Sequence, residues 1–265
     1  MSDPIQMDED TPEADVRKRS RAIYILPNLF TSAALFAGFY SIVQAMNDRF
    51  ELAAVAIFIA MVLDGLDGRV ARLTNTQSQF GAEYDSLSDM VAFGAAPALV
   101  AYEWAMKDLG KFGWVAAFIY CVSAALRLAR FNTNIAVVDK RYFQGLPSPA
   151  AAALLTGFIW VVNDNGIAGT AHLGWIPVPW LAAGFAIFAG LSMVTNVLFW
   201  SGKSINLRRA VPFSVALVFI GALLAVHSDP PSVLFGLFVC YGLSGYVMSL
   251  WRRLRKARAA APRIK

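Results

Sequence analysis

Histidine and cysteine are nearly missing from this sequence, with two of each in 265 residues. Cys121 and Cys240 sit in apolar runs; they cannot build a disulfide framework or a thiolate metal cluster, and they read as buried, inert thiols. His172 and His227 fall in expected loops, so imidazole chemistry has little place here. Charge is scarce as well. Only 15% of residues are charged against 57% hydrophobic, and the mean hydropathy is +0.52. A soluble domain of this length needs more polar surface, so the composition points to an integral membrane protein. The N-terminal stretch "MSDPIQMDEDTPEADVRKRSR" has no apolar run and no small-residue cleavage site, so it is not a cleavable signal. Residues 1–22 are expected to be a disordered cytoplasmic leader. No repeat of 20–50 residues and no second soluble domain is evident.

What the sequence does have is long apolar stretches. A bilayer core takes about 20 apolar residues per helix. Eight candidate spans meet or approach that length: 28–46, 51–72, 85–104, 112–130, 147–163, 177–199, 211–226 and 231–250. Pro, Gly, Asn and charge mark the breaks, at "NDRF", "MKDLGK", "GLPSP", "NDNGIAGTAHLGWIP", "SGKSINLRRA" and "HSDPP". With a cytoplasmic N-terminus, all 23 lysines and arginines except Arg49, Lys107 and Lys111 lie in cytoplasmic segments. That asymmetry supports an even number of spans with both termini inside. It also explains the net charge of +5, so no nucleic-acid partner is inferred. The tail after residue 250 is strongly basic, which suits either a topological anchor or a contact with anionic lipid.

Between the second and third spans the chain reads "DGLDGRVARLTNTQSQFGAEYDSLSD", residues 64–89, with four aspartates. Asp64 and Asp67, spaced i, i+3, share a helix face at the end of one span. Asp85 and Asp89, spaced i, i+4, share a face at the start of the next. The 17 residues between Asp67 and Asp85 allow a turn that sets the two helix ends side by side. Four converging carboxylates repel one another unless a cation offsets them. With only oxygen ligands at hand, Mg²⁺ or Mn²⁺ fits. Gly68 and Ala71 leave room for a ligand to approach the backbone, and Arg72 can hold a phosphate through its planar fork. This is equipment for a phosphate ester, with one free carboxylate able to take a proton from an alcohol. At membrane depth, the expected substrate is a lipid with a phosphorylated head. A competing class, a cation transporter, predicts acids facing each other near mid-membrane; these acids cluster at one face.

The eight positions Asp64, Asp67, Gly68, Ala71, Arg72, Gly81, Asp85 and Asp89 follow D-x2-D-G-x2-A-R-x8-G-x3-D-x3-D. This spacing resembles the motif of the CDP-alcohol phosphotransferases. Eight fixed positions arise by chance on the order of once in 10¹⁰ starts. The resemblance implies a six-helix membrane core, here extended by two C-terminal helices, and a cytidine-diphosphate lipid as donor. It further implies that Asp64, Asp67 and Asp85 bind metal, with Asp89 the catalytic base and also within reach of the metal. Gly68, Ala71, Arg72 and Gly81 would line the nucleotide site. On this basis the chain divides into the leader, a core at 23–200, two further helices at 201–250 and a basic tail at 251–265.

Three other stretches resemble the phosphatidylserine synthase branch of that family: "LPNLFT" (26–31), "ALRLARFN" (125–132) and "FQGLPSPAAA" (143–152). One departure is Ala34, where many relatives carry Asn. The implied reaction joins CDP-diacylglycerol to L-serine at the cytoplasmic face of a bacterial inner membrane. Glycerol 3-phosphate or inositol phosphate are alternative acceptors. Arg127 and Arg130, one turn apart in an apolar helix, could meet the serine carboxylate or the donor phosphate, although topology alone also places arginines there. Asn132, Gln144 and Ser148 are further acceptor candidates; "GLPSP" also suits a plain helix start. Asn28 and Thr31 either touch the nucleotide or cap the first span. Small residues such as "AAALLTG" and "GLSGY" permit close helix packing and are compatible with a homodimer.

Overall fold

The computed structural model describes residues 12–134, 142–201 and 213–260. Its helices are α1 (Pro12–Met46), α2 (Phe50–Leu73), α3 (Gln79–Asp89), α4 (Ala96–Trp104), α5 (Lys111–Asn134), α6 (Ser148–Asp164), α7 (Val178–Val194), α8 (Phe213–Ser228) and α9 (Pro230–Ala260). Four short strands accompany them, β1 (Tyr142–Gln144), β2 (His172–Leu173), β3 (Ile176–Pro177) and β4 (Leu198–Trp200). β1 pairs antiparallel with β4, and β2 with β3.

α6 is buried along nearly its whole length, including Ala150, Ala151, Ala152 and Ala153, and α2, α4, α7 and α9 pack around it. Alanines at these contacts let backbones approach closely, the usual solution where lipid rather than water surrounds the helices. Many large apolar side chains also face outward: Phe36, Phe39, Val62, Trp114, Phe118, Leu217 and Val247 are each more than half exposed. Such a skin is stable only against hydrocarbon. Among the described residues, three stretches are long and apolar enough to cross a membrane: Leu26–Met46, Lys111–Thr133 and Pro230–Arg252. The protein is therefore a mostly helical membrane protein.

Helix contact is close where α1 crosses the π-helical turn Met90–Ala95 that links α3 to α4. A Cβ on Gly38 would lie 2.7 Å from the Ala92 Cα. In α7, by contrast, a Cβ on Gly184 meets nothing within 4 Å. Gly38→Ala is expected to lower the thermal midpoint in detergent by an amount equivalent to about 1–3 kcal/mol of overpacking. Gly184→Ala should leave it unchanged or raise it. Equal behaviour of the two variants would refute the crossing.

Several boundaries differ from the sequence expectations, each for a local reason. α1 begins at Pro12 and so runs through part of the expected leader; residues 1–11 lie outside the described ones. Pro12 at the first helical position and acids in the opening turn favour that start. It places Asn28 and Thr31 well inside a helix, so neither caps the first span. The third span is not one uniform helix. Pro97 has no N–H to give the Phe93 carbonyl one turn earlier, and the buried Tyr120 hydroxyl donates to that oxygen at 2.9 Å. The expected span 177–199 stops at Val194. Thr195 is extended (ψ 161°), and the β1 segment satisfies the backbone there: Leu146 N–H donates to the Ser192 carbonyl at 2.9 Å and Gly145 N–H to Val197 at 2.8 Å. The chain is mostly helical, as expected of an all-α membrane protein, with two short ribbons added. α9 continues to Ala260, into the expected tail. His172 lies in β2 and His227 in α8 rather than in loops, and Cys240 is exposed, not buried.

Candidate active site

The turn between α2 and α3 spans only Thr74–Ser78, far shorter than the separation of the acids in sequence allows. Asn75 takes a left-handed conformation (φ 53°), a region Asn tolerates well. The Thr74 hydroxyl donates to the Val70 carbonyl at 2.8 Å, closing α2. Ser78 is extended, and its Oγ accepts from Gly81 N–H at 3.0 Å, an N-cap that starts α3. α3 therefore begins six residues before Asp85, not at it, and packs against α1.

α1 fixes the register of this pair. The Ser88 hydroxyl donates to the Thr31 carbonyl at 3.1 Å, and Ser32 Oγ and Tyr84 Oη share a hydrogen bond at 2.8 Å. The Thr31 hydroxyl donates to Asp67 Oδ2 at 2.7 Å. As a result, carboxylate oxygens of Asp64, Asp67 and Asp85 lie within 4.8 Å of one another. Asp67 is 5% exposed, and Asp85 Oδ1 is buried with no hydrogen-bond partner. Three partly or fully buried carboxylates this close, one with an orphaned oxygen, are stable as anions only with a cation among them. The donor set is all oxygen, which fits a hard divalent metal.

Asp89 stands beside this trio, facing Asp64 and Asp85. From α5, Arg127 faces Asp89 and Asp64 and donates to the fully buried Ser148 Oγ at 2.6 Å. Beside Asp67 and Asp85 is a cavity of about 230 Å³, lined by Asn28 and Thr31 from α1, Asp67, Gly68, Ala71 and Arg72 from α2, and Gly81 and Asp85 from α3. A Cβ on Gly81 would reach within 3.5 Å of Asn28 Oδ1 and within 3.1 Å of Ser78 Oγ, and one on Gly68 within 3.5 Å of the Arg72 guanidinium. Both glycines therefore keep the cavity open, and Arg72 folds back over Gly68.

Not every candidate joins this cluster. Arg130 donates to the Val194 carbonyl at 3.0 Å and to Asn196 Oδ1 at 3.4 Å, and Gln144 Nε2 donates to the same Asn196 oxygen at 2.9 Å. These two side chains close the end of α7 instead. Asn132 Nδ2 donates to Ser86 Oγ at 2.9 Å, joining α5 to α3. The structure also adds residues that the sequence reading overlooked: Thr76, Gln77 and Ser78 in the cavity wall, and Asn196. A serine three residues before Gly81 is a recognisable helix-start signal; Asn196 has no such local mark.

A helical body with an apolar skin and a divalent-cation site beside an arginine-walled cavity defines a class: membrane enzymes that work on phosphate esters. Comparison with known proteins narrows it. The family model described as CDP-alcohol phosphatidyltransferase matches residues 24–191. The chain belongs to that family. It is 36% identical over 228 residues to a CDP-diacylglycerol–serine O-phosphatidyltransferase of Helicobacter pylori strain J99, covering 85% of this chain and 92% of that protein. A protein of the same name from Mycobacterium tuberculosis strain H37Rv is 36% identical over 215 residues, covering 79% and 70%. One from Methanocaldococcus jannaschii is 46% identical over 166 residues, covering 62% and 72%.

Proposed function

We propose that the protein transfers the phosphatidyl group of CDP-diacylglycerol to the hydroxyl of L-serine, giving phosphatidylserine and CMP. The supporting relatives share that activity in their names and match most of the chain. The single structural observation that carries the reading is Arg127, hydrogen-bonded to the buried Ser148 and near enough to Asp64 and Asp89 for their charges to interact, outside the cavity that Arg72 lines. The cavity then serves the nucleotide and Arg127 a small acceptor bearing a carboxylate.

Asp64, Asp67 and Asp85 would hold Mg²⁺ or Mn²⁺, and Asp89 is near enough to share it. The bound ion supplies charge neutralisation for the donor pyrophosphate. The chain's own residues do the rest. Gly68, Ala71 and Gly81 let the donor head lie against the backbone, Arg72 pairs with a phosphate oxygen, and Asn28 borders the same space. Thr31 holds Asp67 in position. Arg127 takes the serine carboxylate, with Ser148 fixing the guanidinium. Asp89 accepts the hydroxyl proton as the serine oxygen attacks the phosphorus next to the diacylglycerol. The new O–P bond forms, the bond to CMP breaks, and CMP leaves with the electron pair. Arg130 and Gln144 hold the end of α7 through Asn196, and Asn132 ties α5 to α3 through Ser86.

The chain crosses the bilayer eight times with both termini in the cytoplasm, which puts the site at the cytoplasmic face of a bacterial inner membrane; the basic residues support this. The core at 23–200 carries the chemistry. α9 is more than an appendage, because Phe235 packs against Gly157 of α6.

The test is CMP release by the purified protein in detergent with CDP-diacylglycerol. L-Serine, glycerol 3-phosphate, inositol phosphate and no acceptor are offered side by side. Release is expected with serine alone, abolished by chelation and restored by Mn²⁺ or Mg²⁺. Release with a phosphorylated acceptor and not with serine would overturn the assignment, as would release indifferent to chelator.

A further inference from the structure

A second polar feature lies away from the acid cluster, between β4 and the C-terminal half of α9. A groove of about 600 Å³ is lined there by Asn196, Leu198, Met248, Trp251, Arg252 and Arg255. Both arginines are held by aromatic faces. The Arg252 guanidinium lies 4.7 Å above the Tyr142 ring and donates to Met248 Sδ at 3.4 Å, while Arg255 lies 3.7 Å above the Trp251 ring. Stacking orders a guanidinium through its face and leaves most of its N–H edge available. Neither arginine pairs with a carboxylate among the described residues, where the ion pair is Lys107 with Glu103.

An apolar trough of about 500 Å³ adjoins the groove. It shares Met248 and Trp251 and continues along α9 past Val247, Ser244, Leu243 and Cys240. The two features read as one elongated site, polar and cationic at one end and apolar along the membrane-crossing helix. Arginines with an interfacial tryptophan match a phosphate at the bilayer surface. The trough matches an acyl chain.

We propose that this groove binds an anionic phospholipid, with Arg252 and Arg255 on its phosphate and an acyl chain along α9. It shares no residue with the catalytic cavity, so the proposal stands apart from the identity of the acceptor. It does abut the groups that close α7, because Asn196 also accepts from Arg130 and Gln144.

The test uses delipidated full-length protein in detergent, without donor, incubated with equal amounts of phosphatidylglycerol and phosphatidylcholine. Retained lipid is counted by mass spectrometry after gel filtration. The wild type should retain phosphatidylglycerol over phosphatidylcholine by about 30-fold, the scale expected of two arginines near an anionic head. R252Q/R255Q should lose that preference while keeping metal-dependent CMP release within about twofold of the wild type, which shows that it is folded. Asp64→Asn should keep the preference. An unchanged preference in R252Q/R255Q, or none in the wild type, overturns the proposal. Loss in Asp64→Asn would assign the retained lipid to the catalytic cavity, and displacement by millimolar inorganic phosphate would make the site one for free phosphate; each also overturns it.

Discussion

Asp89→Asn is expected to lower kcat about 10³-fold, the scale of a lost general base, while leaving Mn²⁺ and donor binding nearly intact. The reason is positional. The oxygens that gather within 4.8 Å belong to Asp64, Asp67 and Asp85, and Asp89 sits just outside them, facing Asp64 and Asp85. An amide in its place keeps the shape and removes only the proton acceptor. Asp85→Asn should behave differently. Its Oδ1 is buried and unpartnered, so neutralising it removes a ligand, and Mn²⁺ affinity should fall together with activity. Electron paramagnetic resonance of added Mn²⁺, read beside CMP release, separates the two. Equal loss of Mn²⁺ binding in both variants would make Asp89 one more ligand and leave the base unidentified. Near-normal turnover in Asp89→Asn would remove it from the chemistry altogether.

The approach of the acids was legible because it depends on short-range rules. Spacings of three and four residues place carboxylates on one helix face, and the glycines and arginine in register narrow the chemistry to a phosphate ester. The helical membrane class was legible from composition and from the length of the apolar stretches. What could not be read depends on partners distant in the chain. The π turn after Asp89 is stabilised where Tyr120 reaches the carbonyl that Pro97 leaves open. The early end of α7 depends on Gly145, Leu146 and Arg130 supplying donors from across the fold. The same long-range pairing divides the two arginines of "ALRLARFN". One turn of helix separates them, yet Arg127 reaches Ser148 and Arg130 reaches Asn196. Equal spacing in sequence gave no reason to prefer one.

That division yields the second large expectation. Arg127→Lys should raise the KM for serine about 30-fold, from the loss of a charge-assisted hydrogen bond worth about 2 kcal/mol, with little change in the KM for CDP-diacylglycerol. Lysine keeps the positive charge beside Asp64 and Asp89, so the electrostatic balance of the acid cluster is largely preserved. It lacks the fork that can donate to Ser148 Oγ and to a substrate carboxylate together. Arg130→Lys, by contrast, disturbs the end of α7, and its effect should appear in thermal stability before it appears in the KM for serine. Serinamide in place of serine gives a further check. Without the carboxylate it should be a poor acceptor for the wild type, and Arg127→Lys should discriminate much less between the two. If Arg127→Lys raises both KM values equally, the arginine is a counter-charge for the aspartates. If it changes neither while Arg130→Lys raises the KM for serine, the acceptor carboxylate belongs at the α7 end with Asn196.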